Sequence, residues 1–283
     1  MKILLTGAGG QLGHDLMAAL DGEEIHAASH RDLDIADRRA VSQMVEAIRP
    51  DWIINAAAFN NVDGAESARE SAFAVNAEGP AYLAEAARST AARLLHISTD
   101  YVFDGRKGQP YTEDDQPRPL SVYGESKRAG EVRVLDSGAR ACVLRTAWLY
   151  GSHGNNFVKA ILRAAAAGKP LRVVSDQVGS PTSTPDLAAA IHDLLGNELA
   201  GLFHVANSGG CSRFEFARAI VSGAIEVEPV KSSEMPRPAP RPANSSLRSV
   251  RWAEAGMTPM RSWQDALADF LRDEAASPVA ARG

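Results

Sequence analysis

The sequence predicts an α/β protein that contains a doubly wound parallel sheet together with a smaller, mixed α/β unit. Three observations lead to this prediction. Short apolar runs alternate with helical segments through the first half of the chain, a glycine-rich turn follows the first apolar run, and the second half carries helices separated by short irregular pieces. Alternation of short buried strands with longer helices is typical of parallel βαβ units.

The first half contains five predicted strands and the helices between them. Each strand is a short run of mostly apolar residues, as expected for strands that are buried on both faces of a sheet. The predicted strands are Ile3–Leu5, Glu24–Ala28, Trp52–Ala56, Leu94–Ser98 and Ala141–Arg145. Helices are predicted through Leu16, Met17 and Leu20, and over Ala40–Ile48, Ala72–Ser89 and Gly124–Leu135.

The second half is predicted to contain four helices and one proline-rich segment. Four prolines in Met235–Ala243 exclude a helix interior or a central strand, so this segment is predicted to be an extended linker or a rigid wall over a ligand cleft. The last residues, Glu274–Gly283, are predicted to be a frayed tail. The predicted helices are Phe157–Ala167, Pro185–Leu195, Arg213–Ser222 and Trp263–Leu271.

Composition and charge exclude several classes of protein. The 283 residues are 45% hydrophobic and 23% charged, which argues against a disordered chain. A formal net charge of -5 leaves no general basic surface, so no nucleic-acid partner is expected. No apolar stretch is long enough for a signal peptide or a membrane span, so we expect a cytoplasmic protein without a membrane partner. Cys142 and Cys211 are too few for a disulfide framework and match no metal-ligand spacing.

A glycine-rich turn lies between the first strand and the first helix. Gly7, Gly10 and Gly13 are spaced three residues apart. Glycine permits a tight turn and a close approach of the backbone to a pyrophosphate, while the helix N-terminus supplies free N–H groups. The turn therefore predicts a Rossmann-type, dinucleotide-binding domain over residues 1–150, to which segments such as 180–205 can return, and a mainly substrate-binding domain over 151–283. A plain strand-to-helix turn is the alternative.

The residues after the second strand bear on the choice of cofactor. Arg31 suits the 2′-phosphate of NADPH, although a solvated surface arginine is the alternative. Asp34 suits a contact with the ribose or the adenine. NADPH is therefore the favoured cofactor, and NADH remains open.

Tyr123 and Lys127 lie four residues apart, on one face of a predicted helix. A tyrosine ordinarily titrates near pH 10, so as a proton donor or acceptor at neutral pH it benefits from a nearby cation. Ser98 and Thr99 end a buried strand, where a parallel sheet presents ligand-binding groups, and a hydroxyl there suits a hydrogen bond to a substrate carbonyl. A helix cap or a turn is the alternative for these hydroxyls.

Taken together, these motifs resemble the extended short-chain dehydrogenase/reductase family and, within it, the reductases of dTDP-linked 4-keto-6-deoxy sugars. The resemblance runs from residue 2 to about residue 270, and its later motifs are more specific than the glycine turn. The matching motifs are Thr6-Gly-Ala-Gly-Gly-Gln-Leu-Gly13, Asn55-Ala-Ala-Ala58, Asn61-Val-Asp63, Ser98-Thr-Asp-Tyr-Val-Phe103, Val122-Tyr-Gly-Glu-Ser-Lys127, Arg145-Thr-Ala-Trp-Leu-Tyr-Gly151, Asn155-Asn-Phe157, Asp176-Gln177, Pro181-Thr182 and Arg241-Pro242.

The resemblance implies roles for individual residues. Tyr123 is the implied proton donor, Lys127 orients the nicotinamide ribose and lowers the pKa of Tyr123, and Thr99 polarises the substrate carbonyl. Cofactor contacts are implied for Gly10, Gln11, Leu12, Asp34, Ile35, Ala58, Phe59 and Asn60, beside Gly7, Gly13 and Arg31 from the motifs above. Substrate contacts are implied for Val62, Thr99, Asp100, Trp148, Asn156 and Arg241, of which Arg241 suits the diphosphate.

Other roles are open for three of these residues. Without the resemblance, Trp148 is expected in the core, Arg241 on the surface, and Asn156 as a helix cap. Some relatives bind magnesium at a dimer interface. Asp15 matches one ligand position, but Pro185 stands at a second, so no metal is expected and magnesium is doubtful.

The activity implied by the resemblance is the NADPH-dependent reduction of the 4-keto group of a dTDP-sugar, by a monomer or a homodimer. Two alternatives remain at this point. One is a nucleotide-sugar epimerase or dehydratase of the same extended family, and the other is a non-catalytic nucleotide-binding subunit.

Overall fold

The computed structural model describes residues 1–197 and 199–276. Its strands are β1 (Lys2–Thr6), β2 (Glu24–Ala28), β3 (Trp52–Asn55), β4 (Arg93–Thr99), β5 (Arg140–Thr146), β6 (Leu149–Tyr150), β7 (Leu171–Val174), β8 (Val178–Gly179), β9 (Thr182–Ser183), β10 (Gly201–His204), β11 (Cys211–Ser212) and β12 (Val227–Val230). Its α-helices are α1 (Gln11–Ala19), α2 (Arg38–Ile48), α3 (Val62–Ala65), α4 (Arg69–Phe73), α5 (Gly79–Thr90), α6 (Val122–Leu135), α7 (Phe157–Ala166), α8 (Thr184–Leu195), α9 (Arg213–Val221), α10 (Arg251–Glu254) and α11 (Trp263–Ala276).

The central layer is a six-stranded parallel sheet with the strand order β10-β5-β4-β3-β1-β2. The chain runs from β1 outward to β2 and then crosses back to β3 on the other side of β1. In a doubly wound sheet, ligands bind in the crevice beyond the carboxyl ends of the strands at such a reversal. The reversal in this sheet lies between β1 and β3, directly after Thr6 and Asn55.

Helices cover both faces of the sheet, as the residues of β1 show. Ile3 and Leu5 join a core cluster with residues of α1 and α8, while Leu4 points to the opposite face and joins a second cluster with residues of α2 and α5. All three side chains are fully buried. Because successive side chains of a strand point to opposite faces, an uninterrupted apolar run is what a two-sided core requires. The structure thus confirms the predicted α/β, doubly wound class.

The second half builds a smaller unit with its own apolar cluster. This cluster includes Tyr150, Ile161, Phe216 and Trp263, and three two-stranded sheets lie in the same part of the chain. Strand β10 and helix α8 do not belong to this unit, because β10 pairs with β5 and α8 packs on α1. The division of the chain at residue 150 stays a prediction.

Two sequence predictions about local structure need correction. The helix predicted over Ala72–Ser89 consists of α4, a π-helical segment over Ala74–Glu78, and α5. Such π segments are frequent at functional sites. The frayed tail predicted from Glu274 is wrong for residues 274–276, which continue α11, and residues 277–283 lie outside the described residues.

The proline-rich segment packs against the rest of the protein, so its interpretation as an extended linker is wrong. Ala239 is buried, and its N–H donates to Asp63 in α3. Further along, the N–H of Ser245 donates to the carbonyl of Val178. Cys142 and Cys211 are buried and unpaired, and none of the described helices combines the length and apolar character needed to cross a bilayer.

Candidate active site

A cavity of about 360 Å³ opens at the carboxyl ends of the central strands. The glycine turn after β1, the segment after β3 and the ends of β4 and β5 all contribute to its wall. It brings together twelve of the residues that the sequence indicates, namely Gly10, Gln11, Leu12, Gly13, Ala58, Asn60, Val62, Thr99, Asp100, Tyr123, Lys127 and Trp148.

A second cavity, of about 770 Å³, adjoins the first and shares Gly10, Ala56, Ala58 and Asn60 with it. Shared lining residues make the two cavities one elongated crevice, of the kind that an extended dinucleotide needs. The other predicted residues that line the second cavity are Gly7, Arg31, Asp34, Ile35 and Phe59.

The N-terminus of α1 faces this crevice without a side-chain cap. Gly10 is the cap residue and makes no side-chain hydrogen bond, whereas Asp37, Ser121 and Ser212 cap α2, α6 and α9 through their side chains. The first turn of a helix presents unsatisfied N–H groups and the positive end of the helix dipole. An anion such as a pyrophosphate can therefore complete the hydrogen bonds of α1.

At two positions of the glycine turn, neighbouring backbone atoms lie so close that a side chain larger than hydrogen does not fit. A Cβ atom at Gly7 would lie 2.5 Å from the backbone nitrogen of Ala57, and one at Gly13 would lie 2.5 Å from the carbonyl oxygen of Gly7. Gly7 also has a φ of +74°, which disfavours other residues. The glycine pattern is therefore required by the packing of the turn itself, which keeps α1 close to the sheet.

Asn76, in the π-helical segment, was not indicated by the sequence. Its amide exchanges two hydrogen bonds with the backbone of Phe59, at 2.8 and 3.0 Å, and also donates to Ser126 Oγ at 3.0 Å. Ser126 precedes Lys127 in α6. Asn76 thus fixes the cofactor side of the cleft to the helix that carries the tyrosine and the lysine, and only the folded arrangement reveals this role.

Tyr123 lies in the first turn of α6, beside Thr99. Close packing places it there, because a Cβ atom at Gly124 would lie 2.2 Å from the carbonyl oxygen of Tyr101. Burial raises the pKa of Tyr123 above its usual value, and Asp100 and Tyr101 also raise it, whereas the hydroxyl of Thr99 lowers it. Tyr123 therefore stays protonated at neutral pH and can donate its proton.

Lys127 lies beneath the cavity and is 2% exposed. Its Nζ donates to the carbonyl oxygen of Ile97 at 2.6 Å. Burial lowers the pKa of Lys127 to about 8, although Glu131 acts in the opposite direction. Thr99, Asp100 and Tyr101 are the side chains that shift the pKa of Tyr123, and Lys127 is not among them. The predicted lowering of that pKa by Lys127 therefore stays a prediction.

Asp100 is a buried carboxylate next to Thr99. Its Oδ2 accepts a hydrogen bond from Ser245 Oγ at 2.5 Å, and its Oδ1 accepts one from Thr99 Oγ1 at 3.1 Å. Burial raises the pKa of Asp100 to about 6, although both hydroxyl donors and the charge of Arg213 lower it. Ser245 comes from the segment after the prolines, so the second half of the chain completes this part of the site.

Trp148 lines the cavity and has an unusual backbone conformation. Its φ is +47°, which a bulky residue rarely adopts, and strained residues of this kind cluster at functional sites. The guanidinium carbon of Arg213 lies 3.5 Å from the centre of the Trp148 ring. Arg213 begins a predicted helix and no sequence pattern indicates a role for it, yet it lines the same cavity.

Two predicted substrate contacts, Asn156 and Arg241, line neither cavity. Asn156 caps α7, and its Nδ2 donates to Gln11 Oε1 at 2.7 Å, so it supports the phosphate-binding turn from behind. Arg241 donates to Asp63 Oδ1 at 2.5 Å and to the carbonyl oxygen of Ala239 at 2.6 Å. The assignments of both to the substrate stay predictions.

The question of a metal centres on Asp15. Its Oδ2 is buried without a hydrogen-bond partner. Within residues 1–197 and 199–276, however, no group of three or more His, Cys, Asp or Glu side chains is arranged to hold a metal ion.

Comparison with known proteins agrees with this geometry. The chain matches the family model described as RmlD substrate binding domain over residues 1–276. The dTDP-4-dehydrorhamnose reductase of Mycobacterium tuberculosis is 46% identical, over 95% of this chain and 92% of that protein. The dTDP-4-keto-6-deoxy-D-glucose reductase of Streptomyces niveus is 41% identical, over 93% of this chain and 94% of that protein.

A solved structure is also similar. The crystal structure of dTDP-4-dehydrorhamnose reductase from Bacillus anthracis in complex with NADP superposes with a TM-score of 0.94 at 40% identity, covering 96% of this chain and 100% of that one. The similarity extends over both the sheet and the smaller unit, and therefore over the whole cleft. On this evidence, the chain belongs to the RmlD family, the family of the dTDP-4-dehydrorhamnose reductases.

Proposed function

We propose that this chain is an NADPH-dependent reductase that converts dTDP-4-dehydro-β-L-rhamnose to dTDP-L-rhamnose, a nucleotide sugar used in polysaccharide biosynthesis. One observation carries the proposal. A single cavity brings Tyr123, Thr99 and Lys127 next to the uncapped N-terminus of α1. A proton donor, a carbonyl-binding hydroxyl and a cofactor site are the parts that a keto-reductase needs.

The crevice fits a dinucleotide. The free N–H groups of α1 and the glycine turn suit the pyrophosphate, and the larger cavity suits the adenosine half. Arg31 lines that cavity, and Asp32, the acidic residue next to it, accepts hydrogen bonds from the backbone N–H and the hydroxyl of Ser29. An exposed cation in this position favours the 2′-phosphate, and hence NADPH over NADH.

The cofactor supplies a hydride to the carbonyl carbon when it is bound, and the protein supplies the proton. Tyr123 donates its phenolic proton to the carbonyl oxygen, where negative charge develops. The Thr99 hydroxyl lies beside that phenol, and with substrate bound it turns its proton from Asp100 Oδ1 to the same oxygen. Lys127 holds the ribose and adds positive charge below the site. The buried position of these groups strengthens their electrostatic effect on the developing charge.

The substrate end of the cleft is the part of the smaller cavity that Asp100 and Trp148 line. Asp100 is held by Ser245, so its carboxylate can accept a hydrogen bond from a sugar hydroxyl. Trp148 provides a flat apolar surface. Relatives of similar identity carry the names of reductases of different dTDP-linked keto sugars, so the assignment of the rhamnose precursor is part of the proposal.

Two further properties stay predictions. The protein is expected in the cytoplasm, where its cofactor and substrate would be available. It is expected to be a monomer or a homodimer, without nucleic acid or membrane as a partner.

The test is to incubate the purified protein with dTDP-4-dehydro-L-rhamnose and either NADPH or NADH. The absorbance of the reduced cofactor is followed and the sugar product is identified by nuclear magnetic resonance. We expect one NADPH to be consumed for each dTDP-L-rhamnose formed, at a higher kcat/KM than with NADH. Conversion of a nucleotide sugar without net consumption of the cofactor would instead identify an epimerase or a dehydratase and refute the proposal.

A further inference from the structure

Arg213 is a cation at the substrate end of the cleft that no part of the mechanism above uses. It is the first residue of α9, and its side chain reaches the cavity that contains Tyr123 and Asp100. Its guanidinium carbon lies 3.5 Å from the centre of the Trp148 ring and 5.0 Å from that of Phe157. The cation therefore stacks on the indole of Trp148, and Arg213 lines the same cavity.

The position is unfavourable for a residue that only supports the fold. A positive charge in the first turn of a helix opposes the helix dipole, and removal from water lowers the pKa of the Arg213 guanidinium. Among the described residues, no carboxylate forms an ion pair with Arg213: its side chain hydrogen-bonds the neutral Tyr101 hydroxyl, and Asp100 acts on it only as a nearby charge in the same cavity. A residue type that is locally unfavourable, such as a cation at a helix N-terminus without an ion-pair partner, tends to mark a functional site.

Arg145, which is more deeply buried than the half-buried Arg213, shows how this protein accommodates a structural guanidinium. Arg145 is 1% exposed, and its Nε and Nη2 donate to the two carboxylate oxygens of Glu131 at 2.8 and 2.7 Å. That pair is bidentate and fully enclosed, the arrangement expected where a buried charge must be neutralised. Arg213 lacks such a partner, which indicates that its partner arrives with a ligand.

The charges that line the cavity identify the ligand group. Lys127 and Arg213 are the two lysine or arginine residues in the wall of this cavity. Lys127 already donates to Ile97 and lies below the site, and Arg241, the sequence-based choice for the diphosphate, is paired with Asp63. An anionic group on the substrate side therefore meets Arg213 as its nearest counter-charge.

We propose that Arg213 binds the diphosphate of the sugar nucleotide and holds Trp148 against the substrate. This inference rests on the proposed function, because it takes the ligand to be a dTDP-sugar. Planar guanidinium groups bind phosphate oxygens through two parallel hydrogen bonds. Gly179 contributes to the same arrangement, since a Cβ atom at that position would lie 2.3 Å from the indole of Trp148.

The experiment measures the dissociation constants of dTDP and, at millimolar concentration, of thymidine by isothermal titration with NADP⁺ present. The variants are Arg213→Gln and Arg213→Lys, and the control is Arg218→Gln, which removes an exposed arginine from the same helix. We expect Arg213→Gln to weaken dTDP binding by roughly 10- to 100-fold, the loss typical of one hydrogen-bonded charge. Thymidine binding is expected to remain unchanged, and Arg213→Lys to give an intermediate loss for dTDP.

Two more measurements separate binding of the diphosphate from a purely structural role. The melting temperature of Arg213→Gln is expected to equal or exceed that of the wild type, because the change removes a half-buried cation that has no carboxylate partner among the described residues. In turnover assays, KM is expected to rise with kcat nearly unchanged. Arg213→Met, which retains apolar packing on Trp148, is expected to show the same loss of dTDP affinity.

Several results would overturn the inference. Unchanged dTDP affinity in Arg213→Gln, an equal loss for dTDP and thymidine, or a variant that melts well below the wild type would each assign Arg213 a structural role. If the wild-type protein binds dTDP and the variant binds it as tightly, the inference fails while the proposed function stands. If the wild type binds no dTDP, both fail.

Discussion

The two ends of the cleft are built in different ways. The cofactor end is built mainly from the loops that directly follow neighbouring strands, such as Gly10 after β1, Arg31 after β2 and Ala58 after β3. The substrate end consists of side chains from distant parts of the chain, including Asp100, Trp148, Arg213 and, behind them, Ser245. One end is thus a local structural motif, and the other exists only after the smaller unit has packed on the sheet.

This difference predicts how each end responds to substitution. Changes at the cofactor end should alter affinity for NADPH and leave dTDP binding unchanged, and changes at the substrate end should do the reverse. Tyr123 lies between the two ends, so its loss should affect turnover with little effect on either binding equilibrium.

The largest effect is expected for Tyr123→Phe. The variant lacks the phenolic proton, and a general acid contributes about 10²- to 10⁴-fold to a rate. We expect kcat to fall by that factor, with the dissociation constants of NADPH and dTDP each changed by less than about twofold. Steady-state kinetics and isothermal titration measure these quantities, with Tyr82→Phe as a control outside the cavities. Turnover close to that of the wild type would remove Tyr123 from the mechanism.

The next largest effect is expected for Asp100→Asn, at the substrate end. Burial raises the pKa of Asp100 to about 6. The carboxyl group of Asp100 therefore binds its proton more tightly in the native state than in the unfolded chain. The stability that the proton provides is present at low pH and is lost as the pH rises through about 6. Asp100→Asn removes the buried charge and should raise the free energy of unfolding at pH 8 by up to about 3 kcal/mol, with little gain at pH 4.

Urea denaturation at both pH values measures this difference. The control is Asp21→Asn, which changes an exposed aspartate and should have no pH-dependent effect of this size. An equal effect of Asp100→Asn at pH 4 and pH 8 would mean that the carboxyl group is not held at a raised pKa.

A smaller effect is expected for Arg31→Gln, at the cofactor end. Loss of the cation should weaken NADPH binding by roughly 10- to 100-fold, because a phosphate loses a charge-assisted hydrogen bond. NADH lacks the 2′-phosphate, so its affinity should change little, and dTDP affinity should not change. Fluorescence titration of both cofactors measures the ratio, with Arg39→Gln, on the neighbouring helix, as the control. Equal losses for NADPH and NADH would show that Arg31 does not contact the 2′-phosphate.

The smallest effect is expected for Gly9→Ala. A Cβ atom at Gly9 would meet only Ser29 Cβ, at 3.9 Å, so the fold accommodates it. The same atom enters the cavity assigned to the cofactor, and crowding of this kind should weaken NADPH binding by roughly tenfold or less. Gly196→Ala, which also has space but lies outside both cavities, is the control in the same titration. If Gly9→Ala binds NADPH as tightly as the wild type does, the cofactor does not bind against Gly9.

The same contrast explains how much the sequence could predict. Strand β1, the glycine turn and α1 follow one another in the chain, so their pattern predicted the sheet, which the structure confirms, and a cofactor site at the turn, which stays a prediction. The pairing of Tyr123 with Lys127 likewise follows from helical spacing. These predictions depend on short-range geometry, which the order of residues determines directly.

The remainder of the site depends on long-range packing. Arg213 begins an ordinary helix in the sequence, and only its position over Trp148 indicates a function. Asn76 lies within a predicted helix, and only its hydrogen bonds to Phe59 reveal that it fixes the cofactor loop. One signal was available for Arg213, namely a basic residue directly after a capping serine, where acidic residues are favoured.

The central claim is that the two ends of the cleft meet at the carbonyl carbon of the sugar, and isotope transfer tests it most directly. The protein is incubated with dTDP-4-dehydro-L-rhamnose and NADPH that carries deuterium at C4 of the nicotinamide, on each face in turn. Mass spectrometry and nuclear magnetic resonance then locate the label. We predict that deuterium from one face appears at C4 of the product sugar, with one equivalent of NADPH oxidised. Product without the label from either face, or label at another carbon, would contradict the claim.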